Sequence, residues 1–373
     1  MMENPGFLLT IFAFFIVIGV LVFVHEMGHY LVGRWCGVKV ETFAIGFGKE
    51  ITGWTDKRGT RWKLCILPLG GYCQFAGDMD PASTPNEEWQ KLPEEERNQS
   101  FQSKSLLQRS AIVFAGPAIN FIFAILIFMG FALAIGHPST PSIAGTVQAG
   151  SSAAAMGMQE GDRIVAIDDD AVDRFEELQQ KITLIPGQQV ALTIERDGEQ
   201  LQLEGEIGTF MVKDRFENEY PIGRLGIGGT VEFRDVTLLE APVVAVERTI
   251  GVVDMIWTTL GQVITGQRSI KELGGPLKIA QVSGEQFALG LNSFIFFVAL
   301  ISINLGFINL LPIPMLDGGH LMFYAIEAVR RKPASPKLQE WAFKSGFALV
   351  MTFMLVVTFN DLTSFGLFKA FSG

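Results

Sequence analysis

Four long apolar runs constrain this chain more than any other feature, because each is near the roughly 20 residues a helix needs to cross a bilayer. They extend from about Gly6 to Val32, from Ser110 to about Ile135, from about Phe287 to Leu311, and from about Trp341 to Phe359. In lipid every backbone N–H and C=O must be satisfied internally, so these runs are predicted to be helices. Charged residues make up 18% of the chain, against about 25% in a soluble domain. The aromatics are 31 Phe, 6 Trp and 4 Tyr, and Phe needs no hydrogen-bond partner in lipid. A wholly soluble protein is therefore disfavoured. The net charge of −10 argues against nucleic acid as a partner. Cys36, Cys65 and Cys73 are odd in number and match no thiolate zinc spacing, so they are expected to stay reduced.

The first run is uncharged from Asn4 to Val24 and lacks a basic leader and a small-residue cleavage site, so it reads as a retained span. Lys and Arg flanks orient the spans. Arg34 and Lys39 follow the first, Lys104 and Arg109 precede the second, and Arg330, Arg331, Lys332 and Lys337 follow the third. This bias places 33–109 and 314–340 inside, 137–286 outside, and both termini outward. The expected fold is a polytopic α-helical membrane protein with transmembrane helices in 1–32, 110–136, 287–313 and 341–362. An inner loop at 33–109 holds a membrane-associated β element and an acidic linker. An α+β module occupies 142–212 on the outer side, and 213–286 is a connector. A second inner loop fills 314–340, and 363–373 is a tail. Thr249–Gly266 is apolar enough for a fifth span, but Glu247, Arg248 and Asp254 suit lipid poorly. An amphipathic helix on the outer surface is expected there.

Within the outer module, Val190, Leu192 and Ile194 alternate, as do Leu201 and Leu203, around an Asp197-Gly198 turn. That is a hairpin pattern. Phe175, Leu178 and Ile182 have helical spacing. Through Ala153–Met156, Gly157, Gly161-Asp162-Arg163-Ile164 and Val165–Asp168, the module resembles a PDZ domain. The resemblance implies a peptide partner, an extended end that adds a strand to a sheet edge.

The chemically informative residues lie at the inner end of the first run: His25-Glu26-Met27-Gly28-His29. An ionisable group at mid-bilayer costs roughly 2.5–3.5 kcal/mol on insertion scales, so a functionless trio is improbable. On a helix His25 and His29 face the same way and can share one Zn²⁺, while Glu26 can reach a water. A third protein ligand would leave one open position for hydrolysis. His137 lies on the other predicted side, and the remaining candidates fall in Asn309–His320, where two prolines break the helix before Asp317-Gly318-Gly319. With four spans, the inner ends of the first and third share a side, so Asp317 can meet His25 and His29. A fifth span at Thr249–Gly266 would separate them.

Together these motifs resemble the site-2 protease family of intramembrane zinc metalloproteases, in its bacterial PDZ-containing branch. The carriers are His25–His29, Gly116-Pro117-Ala118-Ile119-Asn120, Gly274-Gly275-Pro276 and Asn309–Gly319. The resemblance implies one zinc per chain held by His25, His29 and Asp317, with Glu26 as general base and Asn309 as a substrate-binding residue. It gives His320 no ligand role. Asn120 is expected to pack between helices, with Gly116 allowing their close approach. Glu41–Phe75 is strand-like and matches a re-entrant β element that clamps the substrate. Only one PDZ-like module is found, where well-known relatives have two. The implied activity is cleavage of single-span membrane proteins in or beside their transmembrane segment, in the bacterial inner membrane. It would release a cytoplasmic factor, as by anti-sigma factor cleavage, or clear signal-peptide remnants. A metal-ion transporter should show inverted repeats, which are not found. A PDZ scaffold should tolerate loss of Glu26.

Overall fold

The computed structural model describes residues 6–77, 93–168, 170–213, 219–266 and 274–364. It divides into two units, one of residues 1–130 with 242–373, the other of residues 131–241.

The first unit begins with α1 (Phe7–Trp35), followed by β1 (Val40–Thr55), β2 (Arg61–Phe75), the short α2 (Glu94–Arg97) and α3 (Leu106–Ile135). A Cβ on Gly28 would collide with the carbonyl oxygen of Ala115, so α1 and α3 meet backbone to backbone. The two strands fold into a sheet with four arms. Residues 40–47 pair with 71–75 on one side and with 61–67 on the other, and 50–55 pair back onto 61–65. Gly46 and Gly48, at φ +89° and +87°, make the bend that a side chain would oppose. Phe43 and Trp62, side by side on one face, are in mutual ring contact with Tyr30 of α1. Phe75 stacks on Phe101 at 5.4 Å. The acidic linker expected around residues 78–105 lies outside the described residues over 78–92. Its far end is not merely solvated, because Ser100 and Phe101 are buried.

The second unit contains β3 (His137–Ser139), β4 (Ala144–Val147), α4 (Ser152–Ala155), β5 (Arg163–Ile167), β6 (Asp170–Ala171), α5 (Phe175–Thr183), β7 (Gln189–Arg196), β8 (Glu199–Glu206), β9 (Gly208–Lys213), β10 (Glu219–Arg224), β11 (Ile227–Gly229) and β12 (Glu232–Arg234). A four-stranded sheet of order β6-β5-β7-β8 packs Ile164, Leu192 and Ile194 against Leu178 and Ile182 of α5. The Asp197-Gly198 turn has both φ positive, as a two-residue hairpin turn with the native twist requires. Boundaries drawn at 142–212 leave out strands that close this unit: β10 pairs with β9, β11 with β4, and β12 with β3. β11 and β12 are three residues each, too short to carry alternation, and β10 is interrupted by Pro221 and Gly223.

The chain returns to the first unit with α6 (Ala241–Ile264), α7 (Pro276–Ala288), α8 (Leu291–Leu310), α9 (Asp317–Arg330) and α10 (Pro336–Ser364). Among the described residues, four helices are long and apolar enough to cross a membrane: α1, α3, α8 and, over Lys337–Thr363, α10. α6 is not one of them. Its contacts follow α8, with Arg248 over the Phe296 ring near the start and Trp257 against Phe307 near the end. They do not describe a helix lying across the outer end of the bundle. The Arg248 guanidinium rests on the faces of Phe128 and Phe296, which lets a charged side chain sit against an apolar flank. α7 meets α1 where Gly284 leaves room for Thr10. Its N-terminus is capped from another helix, as Asp361 of α10 accepts from the Gly275 and Lys278 N–H groups, both at 3.1 Å.

Candidate metal centre

The tail of α1, the middle of α3 and the start of α9 converge on one spot. His25 and His29, one turn apart on α1, bring their Nε2 atoms to 3.4 Å from each other. Asp317 brings Oδ2 to 3.2 Å from His25 Nε2 and 3.6 Å from His29 Nε2. Among the described residues these three form the one group of His, Cys, Asp or Glu spaced to hold a metal ion. Two donors each about 2.0–2.1 Å from a tetrahedral zinc lie roughly 3.3–3.4 Å apart, so the triangle has the edge lengths that zinc demands.

Two further observations support that fit. Asp317 Oδ2 is buried with no hydrogen-bond donor aimed at it. The His29 Nδ1–H donates to the Ile112 carbonyl at 2.9 Å, which leaves the Nε2 lone pair facing the same void. A cation resolves this convergence of acceptors. Gly116 keeps the void open, because a Cβ there would collide with His29 Nε2 and come within 3.0 Å of His25 Cε1.

Asp317 reaches this position through an irregular turn. Pro312 and Pro314 end α8, Met315 takes φ +91°, and Asp317 becomes the first residue of α9. A Cβ on Gly318 would collide with the carbonyl oxygens of Leu310 and Leu311, and one on Gly319 with that of Ile313. Both glycines are therefore needed for the turn to close this tightly. As a carboxylate, Asp317 is the anionic member of the donor set.

The three donors line a cavity of about 420 Å³ together with Glu26, Asn309, Met315, His320, Tyr72 and Phe47. Glu26 is 9% exposed, and the Cys73 N–H donates to its carboxylate. That N–H belongs to the 71–75 arm, whose opposite side pairs with β1. The arm therefore turns toward the metal cluster the side that does not face β1. Gly71 permits the approach, since a Cβ would meet Val22 and the Ala44 carbonyl. Phe47 stacks on Tyr72 at 6.0 Å across the cavity wall. His320 packs against the Phe343 ring at 5.0 Å, and burial pushes its imidazole down toward the neutral form.

Every site residue expected from the sequence, His25, Glu26, His29, Asp317 and Asn309, lines this one cavity. Asn120 is buried between helices as expected, and in addition its amide reaches His25 Nδ1 at 3.0 Å. Beyond the Gly116–Asn120 motif itself, nothing in the sequence signals that contact. Phe101 also lines the cavity, although it follows an acidic stretch that reads as linker.

The second unit has a groove of its own, about 330 Å³, between α5 and the segment Arg224–Ile227. Leu178, Ile182, Phe210 and Ile222 line it. Arg224 lies over the Phe210 ring.

The profile of peptidase family M50 matches residues 13–353. A protein of Agrobacterium fabrum whose name reads "putative zinc metalloprotease" is 41% identical over 370 residues, 97% of this chain and 98% of its own. One of the same description from Mesorhizobium japonicum is 40% identical over 363 residues, covering 95% and 99%. Metalloprotease MmpA of Caulobacter vibrioides is 36% identical over 398 residues, 99% of each chain.

Proposed function

Since the chain belongs to peptidase family M50 and is a zinc metalloendopeptidase, we propose that it cuts its substrates within the membrane. His25, His29 and Asp317 hold the zinc, and Glu26 is the general base. The observation that carries this reading is the triangle of Nε2, Nε2 and Oδ2 at 3.2–3.6 Å, formed where two apolar helices end. Bound zinc supplies Lewis acidity, which lowers the pKa of water and polarises a carbonyl.

The remaining chemistry is done by the chain. Glu26 takes a proton from the attacking water on its carboxylate and passes it to the departing amine, work worth about 10²–10⁴-fold in rate. A helical substrate hides its carbonyls in its own hydrogen bonds and must unwind to be cut. The side of the 71–75 arm that does not face β1 offers the freed backbone new partners and holds it extended against Glu26. Asn309 hydrogen-bonds the substrate backbone from the opposite wall.

The substrates are single-span membrane proteins, cut after loss of their outer domain. The product is a released cytoplasmic factor or a cleared signal-peptide remnant. The flanking Lys and Arg residues support a zinc near the inner face of a bacterial inner membrane, with residues 131–241 outside. The groove beside α5 receives an extended peptide end as a PDZ domain does, along the free edge of β11, which pairs on its other side with β4.

The test is cleavage of a single-span reporter by detergent-purified protein. Glu26→Gln should lose turnover while keeping about one zinc per chain, as a residue that moves protons but binds no metal requires. Turnover retained by Glu26→Gln sinks the assignment of the base. Zinc retained by His25→Ala and Asp317→Ala sinks the assignment of the ligands.

A further inference from the structure

A metal-bound imidazole needs its second ring nitrogen fixed, and the two histidines on α1 achieve this differently. His29 gives its Nδ1–H to the Ile112 carbonyl, an oxygen that can only accept. The partner of His25 Nδ1 is the Asn120 side-chain amide at 3.0 Å, which can donate or accept depending on which face it turns. With the amide nitrogen Nδ2 turned to His25, as it is placed here, Nδ1 has to be the acceptor and Nε2 carries the proton. That tautomer has no lone pair to direct at the shared void. If the amide oxygen faces His25, the proton sits on Nδ1 and Nε2 is free.

We propose that Asn120 is the positioning residue for His25, its side-chain carbonyl accepting the Nδ1–H and so fixing the tautomer that can bind zinc. No other side chain decides the amide's orientation, because the atom turned away from His25 is buried without a partner. The residue itself is held firmly. Asn120 is 0% exposed, its backbone carbonyl accepts from Ser302 Oγ at 2.9 Å, and α8 packs against it at Gly306, where an added Cβ would come to 3.3 Å from the Asn120 Cβ. α8 thus clamps α3 at the residue that aims an α1 ligand, while the turn after α8 delivers Asp317. Outer partners of this kind typically change metal affinity 10–100-fold when removed.

The inference rests on the reading of His25 as a zinc ligand, and the experiment separates the two. Zinc affinity is measured by chelator competition on the full-length protein in detergent, for wild type, His25→Ala, Asn120→Asp and Asn120→Leu. Thermal unfolding of the zinc-free forms is followed alongside. Asn120→Leu keeps the volume but offers no acceptor, and should weaken zinc about 10–100-fold without lowering zinc-free stability. Asn120→Asp keeps an acceptor and should stay within a few-fold of wild type. Wild-type affinity in Asn120→Leu overturns the proposal, and so does a loss in Asn120→Asp as large as in Asn120→Leu. Unchanged affinity in His25→Ala overturns the ligand reading instead. Should Asn120→Leu fail to fold, ¹⁵N NMR of the zinc-loaded wild type decides: a proton on His25 Nδ1 is the expected result, and a proton on Nε2 refutes it.

Discussion

Asp162, in the unit of residues 131–241, and Asp317, at the start of α9, each bury carboxylate oxygen, and the surroundings differ in kind. Asp162 accepts from Arg196 Nε and Nη2, both at 2.7 Å, and from the Gln159 N–H at 2.7 Å. It is 1% exposed and every neighbour is a donor. Asp317 Oδ2 faces two imidazole nitrogens and receives no hydrogen bond. One carboxylate is surrounded by donors, and the other is set among fellow acceptors. A buried charge whose partners are all internal is architecture, whereas buried acceptors that converge on a shared void define a site.

The largest effects should separate these two aspartates cleanly. Asp317→Ala is expected to abolish zinc binding and turnover while leaving zinc-free stability unchanged or raised, since it removes an unsatisfied buried acceptor. Metal analysis and thermal unfolding with chelator present would measure both. Marked destabilisation of the zinc-free protein would put Asp317 in the architectural class and break the contrast.

Asp162→Ala should do the reverse. Removing the carboxylate takes from Arg196 and the Gln159 N–H the acceptor they share, so this unit should lose stability. Amide exchange in β5 and β7 should accelerate, with zinc content of the surviving folded protein unchanged. Acid should produce a milder version. Burial works to raise the Asp162 pKa, but Arg196 and the Gln159 N–H prevail and hold it below the ordinary carboxylate range. The folded value is lower than the unfolded one, so the stabilisation is complete above about pH 4 and is lost as pH falls through the folded value. Asp162→Asn should flatten that acid limb in β5 and β7 exchange.

The same contrast explains what could be read from the sequence. The four spans were legible because lipid leaves one solution for an apolar run, and the structure has α1, α3, α8 and α10 within a few residues of the expected ranges, apart from an earlier start to α10. His25, Glu26 and His29 were legible because charge in an apolar helix is costly. The convergence of Asp317 with them needed only topology. Less legible were residues whose role depends on a partner far along the chain. Asn120 looked like a packing residue, since nothing local says that it lies 3.0 Å from His25, 95 positions away. Gly116 signalled close approach but not that its missing Cβ leaves the space beside His29. β11 and β12 were missed because three-residue strands are too short to show a periodicity.

Asp361 tests the distinction at its weakest point. It sits in an apolar helix as His25 does, and it is 0% exposed, so cost alone would mark it as functional. Its geometry says otherwise. The carboxylate accepts from the Gly275 and Lys278 N–H groups, at the end of α7 where unpaired donors collect. Gly275 has no side chain because a Cβ there would meet Asp361 and Val357. By the argument from partners, Asp361 is a cap supplied by another helix. Asp361→Ala should therefore cost only about 1–2 kcal/mol, the ordinary value of a lost cap. Amide exchange should quicken over Pro276–Ala288 alone, and Asp361→Asn, which keeps one acceptor, should lose less. Zinc affinity should not move in either variant. A fall in zinc affinity would mean that a fully donated buried carboxylate can still belong to the site, and satisfaction by internal partners would then cease to separate architecture from chemistry in this fold.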